Sequence, residues 1–241
     1  GINYGLNPSM PEVANMFNAG RAAVIANVGT LIEPVTKSQF LAGAAPVPLG
    51  LKSHSDQSRH WQTSIPQSRN AKGWGGKVAD ILTSGNTNQD MSMNLSLAGT
   101  NLWQAGNIVD EFTITPQGSV GINMLNSADA FSMLVGEGVS NILDQQYADI
   151  LKQTYANKVN LSQSQHEVFT SALSDLNPLS TEFANTTISK QMKMVANSIA
   201  VSGSLGMERQ TYYLKLGGFD THGEVINNQA AKLSMLSGAI G

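Results

Sequence analysis

Apolar side chains recur along this chain in two rhythms. From Met91 to Leu97 they alternate. Met91, Met93, Leu95 and Leu97 fall on one side and Ser92, Asn94 and Ser96 on the other, the pattern of a strand with one buried face. Ile188, Met192, Val195 and Ile199 instead recur at steps of four, three and four, which predicts an amphipathic helix ending near Gly203 or Gly206. A helical pattern also covers Asp129 to Asn157, with an apolar stripe of Leu143, Tyr147, Ile150, Leu151 and Tyr155 and a break expected at Gly136 and Gly138. Leu161 to Leu173 reads as another helix, stopped by Asn177-Pro178. His166 lies in its Gln- and Ser-rich surface and receives no role.

Shorter segments complete the pattern. Met10 to Gly20 predicts a helix, with Ser9 as N-cap, Pro11 in the first turn and Gly20 as the stop. Ala22 to Val28, AAVIANV, reads as a buried strand parallel to a later one. Between Gly29 and Lys52, Pro34, Pro46 and Pro48 leave room for one helical turn at Ser38 to Ala42. Gly73-Trp74-Gly75-Gly76 opens a helix to Leu82, its glycines allowing close approach to another backbone, and Trp74 reads as a lid or as core. Phe112 to Thr115 is a strand that a turn at Pro116 and Gly118 pairs with Val120 to Ile122. Tyr212 to Leu216 is a buried strand ended by Gly217-Gly218. Helices and strands in this order predict an α/β fold, a largely parallel central sheet sandwiched between helices, in a single domain over 1–241.

Composition narrows the function classes. Of 241 residues, 41% are hydrophobic, enough for a core, and only 13% are charged. The net charge of −3 and the lack of a basic block argue against a nucleic-acid binder. No apolar run approaches the roughly 20 residues that span a bilayer. The absence of cysteine excludes disulfides and thiolate metal sites. The turn-like opening GINYGLNP and the small residues before Gly241 read as cuts through a longer protein, whose missing N- and C-terminal segments would be partners of this one.

Two polar turns carry the candidate chemistry. Asp220 and His222 stand two residues apart beyond the strand at Tyr212, at the sheet edge where open α/β folds bind ligands. A carboxylate and an imidazole in one turn suit a divalent metal. The competing reading is that Asp220 or Thr221 caps a helix from Glu224 to about Leu236. The second turn is Ser53-His54-Ser55-Asp56, delivered by the long connection. Ser53 or Ser55 is an N-cap there, or a nucleophile activated by a metal or base at the positive end of a helix. His60 is six residues from His54 and off its helical face, so packing or hydrogen bonding is its expected task.

Several separated segments together carry a family resemblance. They are GLNPSMPEVANMFNAGRAAVIANVG, SHSDQSRHWQT, GWGGKVADIL and MERQTYYLKLGGFDTH, with Gln229 beyond. In this order the chain resembles the bacterial exported proteins grouped as domain of unknown function 1501, themselves similar to the alkaline phosphatase and sulfatase superfamily. The resemblance implies a truncated alkaline phosphatase-like domain, export to the periplasm or beyond, and hydrolysis of a small phosphate or sulfate ester with divalent metal (zinc, manganese or calcium). It assigns Asp220 and His222 to the metal, Ser53 and His54 to catalysis, and Asp56 to a nearby acidic position. Asn7 replaces a histidine of the family pattern. Upstream Gly-Gly-Asn-Asp and downstream Ser-Glu-Phe-Gly-Arg and Asp-His-Gly segments of the pattern have no counterpart here. The alternative expectation is a catalytically inactive binding or structural protein on the same scaffold.

Overall fold

The computed structural model describes residues 5–122, 125 and 128–241. Residues 1–4 of the expected opening turn lie outside them. Helices α1 (Pro11–Asn18), α2 (Lys37–Leu41), α3 (His54–Thr63) and α4 (Trp74–Leu82) precede the sheet. Strands β1 (Asn94–Ser96), β2 (Phe112–Thr115) and β3 (Gly118–Ser119) follow, then helices α5 (Ala130–Leu143), α6 (Ile150–Ser174) and α7 (Thr187–Ala200), strand β4 (Thr211–Tyr213) and helix α8 (Val225–Ile240).

The fold is α/β, built on an open mixed sheet of order β3-β2-β1-β4 flanked by helices. Strand β1 runs parallel to both β2 and β4, with Leu95 opposite Phe112 and Tyr212. The expected hairpin forms, but Ile114 pairs with Ser119 and Thr115 with Gly118, so the return strand ends before Val120. His166 secures it: Ser119 Oγ lies 2.8 Å from His166 Nδ1, and the ring packs where a side chain on Gly121 would stand.

The apolar half of the alternating pattern builds the core. Met91, Met93, Leu95 and Leu97 are buried with Phe112 and Ile114, against Phe169 and Ala172 of α6 and Met194 and Val195 of α7. Phe112 meets Phe169 edge to face at 5.8 Å, a favoured aromatic geometry.

The polar half is not solvated as expected. Asn94 and Ser96 are fully buried too, and the chain satisfies them internally. Asn94 Nδ2 donates to the Gln104 carbonyl at 3.0 Å, and Thr211 Oγ1 donates to Asn94 Oδ1 at 2.7 Å. Gln104 Nε2 donates to the Leu95 carbonyl at 3.1 Å and Asn101 Nδ2 to Gln104 Oε1 at 2.8 Å.

Other expectations are corrected. Ala22 to Val28 is not a strand: it joins no ladder with any described strand, and Ile25 is 82% exposed. Apolar periodicity marks what can be buried, but a strand also needs a partner edge to take up its backbone groups. The break expected at Gly136 and Gly138 falls instead between Leu143 and Ile150. There Asp149 accepts from the N–H groups of Leu151 and Lys152, so a strong cap decides where the helix begins, and α6 runs unbroken through Leu161. Of the stripe assigned to this region, Leu143 is buried while Ile150, Leu151 and Tyr155 are exposed. On α7, Ile199 is likewise exposed, and Ser189, Met194 and Ser198 complete the buried face. Helix α1 is preceded by Met10 with no side-chain cap, so Ser9 is not its N-cap; the Ser9 N–H instead donates to Asn7 Oδ1 at 2.9 Å.

Candidate functional site

Helix α3 starts where the sequence places a cap. Ser53 is extended, and its Oγ accepts from the Asp56 N–H at 3.3 Å while lying 3.0 Å from Ser55 Oγ. Asp56 is engaged elsewhere. Arg69 donates to both its oxygens, at 2.9 and 3.2 Å, a bidentate pair. The Arg69 hydrogen bonds hold the Asp56 carboxyl below the usual aspartate range. This ties the first turn of α3 to the segment that follows the helix. His60 is buried within the helix, in keeping with a packing role.

The second turn leaves the carboxyl end of β4. Beyond Tyr213 the backbone loses the ladder, except that the Leu97 N–H donates to the Tyr213 carbonyl at 2.9 Å. Gly218 has a φ of +84°, and a side chain there would collide with Lys232 of α8. Gln229 Nε2 of the same helix donates to the Phe219 carbonyl at 3.0 Å, and the Thr221 N–H closes a tight turn onto that carbonyl. The chain is thereby held against α8 while Asp220 projects outward. Neither Asp220 nor Thr221 caps α8; Glu224 precedes it in a left-handed conformation with no side-chain cap.

The two turns meet. His54 Nδ1 lies 3.8 Å from Asp220 Oδ2, with the side chains 82% and 63% exposed. This is ion-pair range rather than hydrogen-bond range, and at such exposure the attraction is weak. Ser53 is next to His54 in sequence and half-buried, with its hydroxyl occupied as the cap; His222 is exposed two residues beyond Asp220. A divalent ion on three protein side chains needs one more donor than the His54–Asp220 pair supplies. Among the described residues no group of three or more His, Cys, Asp or Glu side chains gathers to hold a metal.

Sequence reasoning passed over a cleft farther along α3. An open cavity of about 700 Å³ is walled by Trp61, Trp74, Trp103, Tyr212 and Tyr213, with Lys215 on its lining. Trp103 stacks on Tyr213 at 6.0 Å and meets Trp74 edge-on at 5.1 Å. Trp74 Nε1 donates to the Trp61 carbonyl at 3.0 Å, and Gln62 Oε1 accepts from the Trp103 N–H at 3.0 Å. Trp74 is therefore a wall, part exposed, rather than a lid or core. Burial pushes the Tyr212 phenol well above its ordinary pKa, and its hydroxyl donates to Gln210 Oε1 at 2.7 Å. The one signal in the sequence was that Trp61 closely follows the first polar turn; Trp74 and Trp103 come from segments farther along the chain.

Among the described residues no helix is long and apolar enough to cross a membrane. Comparison with family models, with curated proteins and with solved structures gave no match.

Proposed function

We propose that this chain acts as an exported, metal-dependent hydrolase of phosphate or sulfate esters on an alkaline phosphatase-like scaffold. In this reading the parallel strands β2, β1 and β4 are the heart of a larger sandwich. The observation that carries the reading is the approach of His54 and Asp220, from turns remote in sequence, at the carboxyl-end side of β4. Asp220 and His222 offer hard and borderline donors to zinc, manganese or calcium, and His54 lies near Asp220. Such an ion supplies Lewis-acid polarisation of the ester oxygen. The residues' own part is to bind and orient: Ser53 stands at the positive end of α3 as the nucleophile, once its hydroxyl leaves the capping bond. The Asp56–Arg69 pair keeps that end rigid.

The test is calorimetric titration of the purified protein with each of the three ions, followed by turnover of para-nitrophenyl phosphate and sulfate. The expected result is stoichiometric binding, weakened on the order of tenfold or more by Asp220→Asn and by His222→Gln, and ester turnover lost in Ser53→Ala. A second reading is a catalytically inactive exported binding or structural protein. The engaged Ser53 hydroxyl and the lack of a three-donor group among the described residues favour it. Absence of turnover with every ion, in protein that is folded, selects this second reading.

A further inference from the structure

We propose that the aromatic cleft between α3, α4 and the exit of β4 is a binding site for a saccharide that carries an anionic substituent. The walls supply what a sugar ring needs. Trp61 is 55% exposed and Trp74 44% exposed, so indole surface is offered to solvent at the mouth, while Trp103 is held from behind by Tyr213. Indole surfaces pack well against the apolar C–H face of a pyranose. Between these walls stand neutral hydrogen-bonding side chains, Thr30, Ser58, Gln62 and Ser64, which suit the hydroxyl rim of the same ring. The volume lies in the usual range for small-ligand sites.

Charge separates this occupant from its rivals. Aromatic walls also suit a quaternary ammonium group, but no carboxylate lines the cleft and its one charged side chain is the cationic Lys215. A nucleic-acid strand would ask for a basic track along the groove, and one lysine is not a track. A flat aryl ligand would use the walls and leave the Thr30, Ser58 and Ser64 hydroxyls without a task. What remains is a polyol with a negative group placed for Lys215.

Helix α3 links the cleft to the candidate site, since it carries Ser58, Trp61 and Gln62 of the lining and begins at His54. His54, Ser58 and Trp61 lie at helical steps of four and three, on one face of α3. At a rise of about 1.5 Å per residue the indole stands about 10 Å along the helix from the imidazole. A saccharide lying on Trp61 therefore extends toward the His54–Asp220 pair. That the bound saccharide is also the ester substrate rests on the hydrolase reading; that the cleft binds it does not.

Tryptophan fluorescence and calorimetry test the binding directly. The probes are a chondroitin sulfate tetrasaccharide, its desulfated form, a neutral gluco-oligosaccharide, para-nitrophenyl sulfate and inorganic sulfate. We expect the sulfated tetrasaccharide to bind and shift the emission. Trp61→Ala should weaken it by about tenfold or more, the loss of one packed aromatic face, with circular dichroism and Tm unchanged. Lys215→Gln should remove most of the preference for the sulfated over the neutral ligand. Trp61 accepts the Trp74 hydrogen bond through its carbonyl, so truncation leaves that bond in place; if Trp61→Ala nonetheless lowers Tm, Trp61→Phe keeps an aromatic face and should retain binding. The proposal is overturned if no saccharide binds at millimolar concentration, if binding is indifferent to Trp61→Ala, or if para-nitrophenyl sulfate or sulfate alone binds as tightly as the tetrasaccharide. Binding without turnover would sink the hydrolase reading and leave this one standing.

Discussion

At the residue scale the strongest local device is Asp80. Its carboxylate accepts from the N–H groups of Asn107, Ile108 and Val109, at 2.7, 2.9 and 2.9 Å. It thus ties α4 to the loop that leads into β2. Loss of solvent pushes the Asp80 carboxyl up, and these backbone donors more than offset it, leaving it below the ordinary aspartate value. Replacing the carboxylate leaves amide donors without an acceptor. Asp80→Ala is expected to lower unfolding stability by about 1–3 kcal/mol, read from the urea midpoint at constant m. A midpoint within experimental scatter of the parent would refute this account. Ile25 makes the converse case. As a residue of a buried strand its truncation would cost several kcal/mol, but it is exposed and unpaired. Ile25→Thr should stay within about 0.5 kcal/mol of the parent. The apolar letters of AAVIANV were legible; the missing partner edge, which decides their fate, is written nowhere near them.

At the element scale α4 is the clearest instance of local sequence serving a distant contact. Gly76 packs on the backbone of Ala105 and Gly106, and Gly75 on the Trp103 ring. The run Gly-Trp-Gly-Gly announced such an approach without naming its target. Gly76→Ala forces α4 away from that loop and should cost on the order of 1–3 kcal/mol. The same shift loosens the Trp74–Trp103 contact, so a changed tryptophan emission in the folded variant is expected alongside the lower midpoint. Other elements were legible for plain reasons. The capping hydroxyl of Ser53 and the hairpin turn at Gly118 are decided within a few residues. The break between α5 and α6 was misplaced because Asp149, a cap, outweighed two glycines that a helix tolerates. For the candidate site, the residue types at His54 and Asp220 were readable. Their mutual approach was not, because it depends on α8 holding the turn through Gln229. Nor could the convergence of Trp61, Trp74 and Trp103 be read, since each reaches the cleft from a different segment.

At the scale of the whole molecule, four carboxylates join segments that no backbone ladder connects. Glu12 accepts from Ser237 across α1 and α8, Asp56 from Arg69, Asp80 from the loop before β2, and Glu208 from Thr87. Each is held below its ordinary value of 4.5 for Glu or 3.8 for Asp: Glu12 chiefly by the Ser237 hydrogen bond, Asp56 by Arg69, Glu208 by Thr87, and Asp80 by its backbone donors against desolvation. A carboxyl with a depressed folded value is ionised in the native state while the unfolded chain takes up protons. Its contribution is therefore complete above the ordinary value and drains away as pH falls through the folded one. Thermal midpoints should be flat from neutral pH to about 5 and fall steeply below about 4. A protein equally stable at pH 3 and pH 7 would contradict this.

The buried amides beneath β1 carry a further consequence. Sliding that strand by a single residue would turn Asn94 and Ser96 toward Phe169 and Met194, and would thrust Leu95 among the groups that now satisfy Gln104. Both faces would be penalised together, by orphaned amides on one side and misplaced hydrocarbon on the other. A central strand only three residues long can thus hold a unique alignment between two parallel neighbours, with chemistry on its two faces doing what length does elsewhere.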